Sequence, residues 1–251
     1  MSRPIYKLGK RPPRIDSRTF KLSKYLRLPP IPEEVSWITK LKAAEAIPMY
    51  LNDQLGDCVI AAAGHMVQQW NFYAGHPFQP TDADILAAYG AVGGYNPDDP
   101  GSDQGADMLT MLNYWRKTGL AGHRILAYMS LDWTNLEEFR AAILLFGSAY
   151  MGIQLPLSVQ GADDWVVGDG GIYTSQGSPG GWGGHCVNFP ASSAITHTCE
   201  TWGSMLKCSH NFLMDYADEG YVVLSPDWMN VVGLSPSAFN LNQLMADLAA
   251  L

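Results

Sequence analysis

Apolar positions in the first 35 residues follow neither a helical nor a strand period, and the stretch is broken by Pro12-Pro13 and Pro29-Pro30-Ile31-Pro32. Proline fixes φ and lacks an N–H, so residues 1–35 read as an extended arm rather than a domain. From residue 36 to 251 the pattern tightens into one folded unit. Apolar residues at helical spacing predict helices over 58–73, over 82–90 after Thr81, over 106–118, and over 135–146 after Thr134. In the last of these, Asn135-Leu136-Glu137-Glu138 supplies an acidic first turn that complements the helix dipole. Residues 91–105 are rich in Gly, Pro and Asp and predict a loop.

After residue 147 the texture changes. Ser148 to Leu155 alternates weakly and reads as a strand. Residues 184–189 and 195–203 read as paired strands around Pro190-Ala191-Ser192-Ser193, and Tyr221 to Leu224 as a further strand. Leu241, Leu244, Met245 and Leu248 recur at helical spacing and predict a short C-terminal helix. Helices first and an antiparallel sheet second predict an α+β fold with two lobes.

Composition narrows the class. The chain has 251 residues, 47% of them apolar, with 8 Trp, 12 Tyr and 8 Phe. That is enough to bury a large core and too aromatic for a disordered chain. No apolar run is long enough to span a membrane, and the basic N-terminus lacks the apolar segment of a secretory signal. These features predict a cytoplasmic product, with virion association as the alternative. Four cysteines are too few for a disulfide scaffold.

Charge is split unevenly. Residues 1–30 carry nine Lys/Arg and one acid, Asp16, for +8; the remainder carries 7 basic and 23 acidic side chains, for −16. A basic arm on an acidic body can lie on that body, dock on an acidic protein partner, or bind nucleic acid. With few aromatics and no reading motif in the arm, the first two are favoured over nucleic acid.

Candidate chemistry starts at Gly56-Asp57-Cys58-Val59. A helix is predicted to begin at Cys58, where free N–H groups and the helix dipole favour the thiolate. Asp57 can act as the N-cap, or as a neighbouring anion that raises the thiol pKa. A base for the thiol is offered by His185 in Gly183-Gly184-His185-Cys186-Val187. A turn centred between Ser192 and Ser193 would oppose His185 to Glu200 on one face of the sheet. Glu200 could then orient the imidazole, with Trp202 on the same face covering the pair. A slip of one residue would put Glu200 on the other face. The same register would place Cys186 opposite Cys199, read as reduced core thiols.

The order of these elements resembles that of papain-like cysteine peptidases. In that superfamily a helix-start Cys is followed, roughly 130 residues later, by a strand His, and then by Asn-Ser-Trp-Gly. Here His185 follows Cys58 by 127 residues, and Glu200-Thr201-Trp202-Gly203 stands where Asn-Ser-Trp-Gly would be. Lys7-Leu8-Gly9-Lys10, Gly56-Asp57-Cys58, Gly183-Gly184-His185 and Thr201-Trp202-Gly203 together resemble a papain-like group of bacteria and bacteriophages. The resemblance covers most of the chain. It implies a two-lobed fold with the nucleophile helix in the N-terminal lobe, no cofactor or metal, and a peptide or protein substrate. It also implies an oxyanion amide shortly before Cys58, for which Gln54 and Asn52 are the candidates, Gln54 preferred for reach. The departure is Glu200 in place of Asn.

The sequence therefore predicts a cysteine hydrolase acting on peptide or amide bonds through Cys58, His185 and Glu200. Two alternatives stand beside it. One is a catalytically inactive papain-like scaffold serving as a structural or binding protein, as in a phage particle. The other is transglutaminase-like amide transfer, which uses the same Cys-then-His order.

Overall fold

The computed structural model describes residues 6–43, 47–228, 245, 246 and 249. After the arm come β1 (Val35–Ser36), α1 (Thr39–Ala43), α2 (Cys58–Ala74), α3 (Asp82–Gly93), α4 (Met108–Lys117), β2 (Ala127–Ser130) and α5 (Leu136–Phe146). The second half holds β3 (Ala149–Leu155), β4 (Asp164–Trp165), β5 (Gly183–Ser192), β6 (Thr196–Thr201), β7 (Ser204–Ser209), α6 (His210–Tyr216) and β8 (Ala217–Leu224). The predicted α+β order is present. Apart from Met245, the predicted C-terminal helix positions lie outside the described residues.

α2 is apolar on every side, and its residues from Cys58 to Asn71 are buried, so it forms the middle of its lobe rather than a surface helix. It ends at Gly75, whose φ of 80° is the left-handed cap that glycine accepts without strain. α3 starts at a complete capping box between Thr81 and Asp84. α5 is capped by Asn135, whose side chain accepts from Glu138 N–H; the Thr134 hydroxyl bonds Asp132 instead.

The sheet runs in the order β2-β8-β3-β5-β6-β7-β4, with β1 pairing β5. All its pairs are antiparallel except β4 with β7. Its two faces serve two cores, and the period of two along each strand sorts the side chains. Met151, Ile153, Val187, Phe189 and Cys199 pack with Phe139 and Phe146 of α5 and Leu213 of α6. Tyr150, Cys186, Tyr221 and Val223 pack on the other face with α2, α3 and α4, against Val59, Met66, Tyr89 and Trp115.

The β5–β6 turn falls later than expected. Ser193 N–H donates to Thr196 O at 2.8 Å, and Thr196 N–H donates back to Ser193 Oγ at 3.1 Å. A serine side chain thus fixes the turn at residues 193–195. Ser192 faces His197, Ala191 faces Thr198 and, past an irregularity, Asn188 faces Glu200. The expected pairing of His185 with Glu200 is not formed. Cys186 and Cys199 also part, one into each core, and all four cysteines are free and buried.

Candidate active site

The arm lies on the body. Ser130 N–H donates to Phe20 O at 2.8 Å, and Leu22 and Tyr25 are buried in the α5-side core. Its charges meet acids: Lys7 pairs with Asp103, and Arg14 lies 3.6 Å from Asp107. Lys10 is wholly buried between Asp218 and Glu219.

This arm crosses the N-terminus of α2. The backbone N–H groups of Gly9 in the arm and Cys186 in β5 lie near the Cys58 sulfur, where they favour its thiolate. Three backbone bonds clamp the arm to both sides of the crossing. Ala106 N–H donates to Gly9 O at 2.9 Å, Lys10 N–H to Gly184 O at 3.0 Å, and Arg11 N–H to Ala106 O at 2.9 Å. The approach is close: a Cβ on Gly9 would stand 1.9 Å from Gly56 O.

Burial reverses the expectation for the thiol. Cys58 is 0% exposed, and loss of solvent pushes its pKa up to about 11, despite the nearby Gly9 and Cys186 backbone N–H groups that favour the thiolate. At neutral pH the covered thiol is neutral. Asp57 holds the N-cap position but makes no side-chain cap bond; its Oδ1 accepts from Asn52 Nδ2 at 3.0 Å instead. Burial raises its carboxyl well above the ordinary carboxylate range. Asn52 is thereby buried and engaged, whereas Gln54 is exposed.

His185 begins the other side of the crossing, and its peptide link to Cys186 lies against the sulfur. Its Nε2 is 2.7 Å from Thr201 Oγ1, and its Nδ1 has no hydrogen-bond partner. With Nε2–H donating to the threonine, Nδ1 keeps a free lone pair; the other tautomer would bury an unpaired N–H, at a cost of about 1–3 kcal/mol. Burial lowers the imidazole pKa to about 3, so it is neutral here. Trp202 stacks on His185 with ring centroids 4.4 Å apart and an interplanar angle of 15°. Tyr6 of the arm stacks on the same indole at 4.7 Å. Trp202 and Gly203, with φ of 47° and 68°, form the tight turn from β6 to β7 that aims the indole at His185.

Glu200 points to the α2 side of the sheet, where Asn188 Nδ2 donates to its Oε2. Full burial raises its pKa to about 8, so at pH 7 it is mostly a neutral acid. The residue that meets the imidazole is its neighbour Thr201. The face is set by the irregularity between Asn188 and Ala191, which shifts the pairing by one residue, from Ala191 opposite Thr198 to Asn188 opposite Glu200, and so puts odd-numbered β6 residues on the face of His185. His65, another buried histidine, packs on Tyr50 with centroids 5.0 Å apart, away from this pair.

No family model and no curated protein matches the sequence. Solved structures do resemble the fold. Xylellain, a cysteine protease from Xylella fastidiosa, superposes with a TM-score of 0.68 at 13% identity, over 89% of this chain and 97% of that one. A procathepsin B from Trypanosoma congolense gives 0.55 at 11% identity, over 88% and 86%. A cysteine protease of Carica candamarcensis in complex with E-64 gives 0.53 at 11% identity, over 78% and 99%. The chain has the papain-like fold. Among the described residues, no helix is long and apolar enough to cross a membrane.

Proposed function

We propose that this chain is a cysteine hydrolase of peptide or amide bonds, held latent by its own N-terminal arm. The observation that carries the reading is the crossing of Gly9 over the start of the Cys58 helix: an extended main chain bonds Ala106 on one side and Gly184 on the other, as a bound substrate would, and covers the thiol. Papain-like proteases among the structural neighbours give the fold a precedent for this chemistry.

Once the arm leaves, solvent reaches the α2 N-terminus, and the burial that holds the thiol neutral is relieved. His185 Nδ1 takes the Cys58 proton, and the thiolate attacks the carbonyl carbon. The same nitrogen returns the proton to the leaving amine, and water then releases the acyl group from sulfur. Thr201 positions the imidazole, and Trp202 shields it. The Cys58 N–H, first in its helix and without an intrahelical acceptor, faces the developing oxyanion together with the Gln54 amide. Glu200 has no part in the proton path.

The test is hydrolysis of a fluorogenic peptide by the full chain, before and after the arm is loosened with mild denaturant. Turnover should appear on loosening and vanish in Cys58→Ala and His185→Ala. Absence of turnover at every degree of loosening would leave the inactive-scaffold reading, which the buried neutral thiol favours. Incorporation of an added amine in place of hydrolysis would mark amide transfer.

A further inference from the structure

The hydrolase reading says that a peptide backbone can occupy the crossing, but not which peptide. The arm itself presents a side chain to the cleft. Lys10 follows Gly9, which crosses the start of the Cys58 helix; its side chain inserts into a slot and is 0% exposed. Its Nζ is 2.9 Å from Asp218 Oδ2 and 2.9 Å from Glu219 Oε1, and it donates to Arg11 O at 3.2 Å.

The slot is built for that cation. Gln154 Nε2 donates to Asp218 Oδ2 at 2.6 Å, and Tyr221 OH donates to Glu219 Oε2 at 3.1 Å, so both carboxylates are held in place. Asp218 and Glu219 are 19% and 7% exposed, so neither is a loose surface acid. Gly152 forms the floor beneath the lysine stem, since a Cβ there would come within 2.0 Å of Lys10 Cε. Two largely buried carboxylates need a cation between them, or one must take up a proton. When the arm leaves, that need passes to whatever enters next.

We propose that this slot is a specificity pocket selecting substrates with a lysine or arginine side chain next to the scissile region, and that Lys10 occupies it as a built-in mimic. The proposal rests on the hydrolase reading. It assigns Asp218 and Glu219 as the residues that read the substrate, Gln154 and Tyr221 as their positioning partners, and Gly152 as the residue that leaves room for the stem. A norleucine side chain has the same stem but leaves both carboxylates unpaired. A glutamate adds a third negative charge. Discrimination by unpaired buried charge is far larger than discrimination by one methylene.

The experiment uses the full chain and a set of peptidyl acyloxymethyl ketones. Each carries Lys, norleucine or Glu at one of the three residues preceding the ketone, and Cys58 labelling is followed by mass spectrometry. Because every probe waits on the same arm opening, the ratio of their rates reports the pocket and not the arm. At one of the three positions, Lys should exceed norleucine by about tenfold or more, and Glu by a larger factor. The ratio should fall to about twofold or less in Asp218→Asn/Glu219→Gln, and to an intermediate value in the milder Glu219→Gln. Equal rates for Lys and norleucine at all three positions overturn the pocket while leaving the hydrolase standing, provided iodoacetamide still labels Cys58 selectively. Absence of selective Cys58 labelling by iodoacetamide and by every ketone overturns the hydrolase reading, and the pocket with it.

Discussion

Replacing Gly9 by alanine should unlock the site. The added Cβ would lie 1.9 Å from the Gly56 carbonyl oxygen, where real Cβ contacts essentially never fall below 3.0 Å. The obstacle is backbone on both sides, so no rotamer change relieves it, and the arm must rise by about 1 Å. Such a shift stretches the Gly9–Ala106, Lys10–Gly184 and Arg11–Ala106 bonds, now 2.9–3.0 Å, past useful length. At about 1 kcal/mol each, their loss makes the opened arm roughly a hundredfold more populated. The assay is the rate of Cys58 alkylation by iodoacetamide at pH 7.5, with thermal melting followed in parallel. A buried neutral thiol reacts only in the opened form, so the rate tracks the opening equilibrium. Alkylation in Gly9→Ala should rise by roughly two orders of magnitude while the body still melts cooperatively. A rate within about threefold of the parent would refute the account of how the arm is held.

The other perturbations act on separate parts of the site. Thr201→Val in the Gly9→Ala background removes the partner of His185 Nε2 and should cut peptide turnover by about tenfold, whereas Thr201→Ser should keep it; equal loss in both variants points to packing rather than the hydrogen bond. Glu200 has a folded pKa of about 8 against an ordinary 4.5, so the folded state binds the proton more tightly. Its stabilising effect is complete below about pH 4.5 and is lost as pH rises to about 8, which amounts to about 3 kcal/mol by pH 7. Glu200→Gln should therefore flatten the fall in stability across that window in urea titrations at pH 5 and pH 8, and an unchanged slope would count against the buried acid. Lys10→Met leaves Asp218 and Glu219 without a cation and should cost about 3 kcal/mol at pH 8. The loss should shrink at pH 4, where Glu219, whose carboxyl pKa is pushed up by burial, can take up a proton; equal destabilisation at the two pH values would mean that packing, not charge, is responsible.

The helix that begins at Cys58 was legible from residue patterns because its cause is local. A Gly-Asp-Cys turn followed by an unbroken apolar run specifies a buried helix starting at Cys58, and the left-handed cap at Gly75 ends it one residue past the predicted boundary. Thr81 with Asp84 fixed the next helix start just as locally, although the helix runs to Gly93, into the stretch read as loop. The imidazole's partner was not legible by the same means. Strand pairing depends on irregularities as well as turns: the turn at residues 193–195 alone would keep Glu200 on the face of His185, and the one-residue shift between Asn188 and Ala191 exchanges it for Thr201. β7 was hidden because the predicted 195–203 strand ran through the Trp202-Gly203 turn, whose positive φ at a tryptophan has no strong sequence signal. The +8 arm on a −16 body foretold that the arm would find acids. That its glycine would cross the thiol, burying it and raising its pKa, depends on contacts between residues far apart in sequence, which periodicity does not carry.

The central claim is that Cys58 is a nucleophile activated by His185 and silenced by the arm. Its most direct measurement is the pH dependence of Cys58 alkylation in Gly9→Ala, with and without His185→Ala. The account predicts a thiolate fraction that persists below pH 7 when the arm is loosened, and collapses to ordinary thiol behaviour when His185 is removed. A profile that titrates near an ordinary thiol pKa of about 8.5 in both proteins would contradict it.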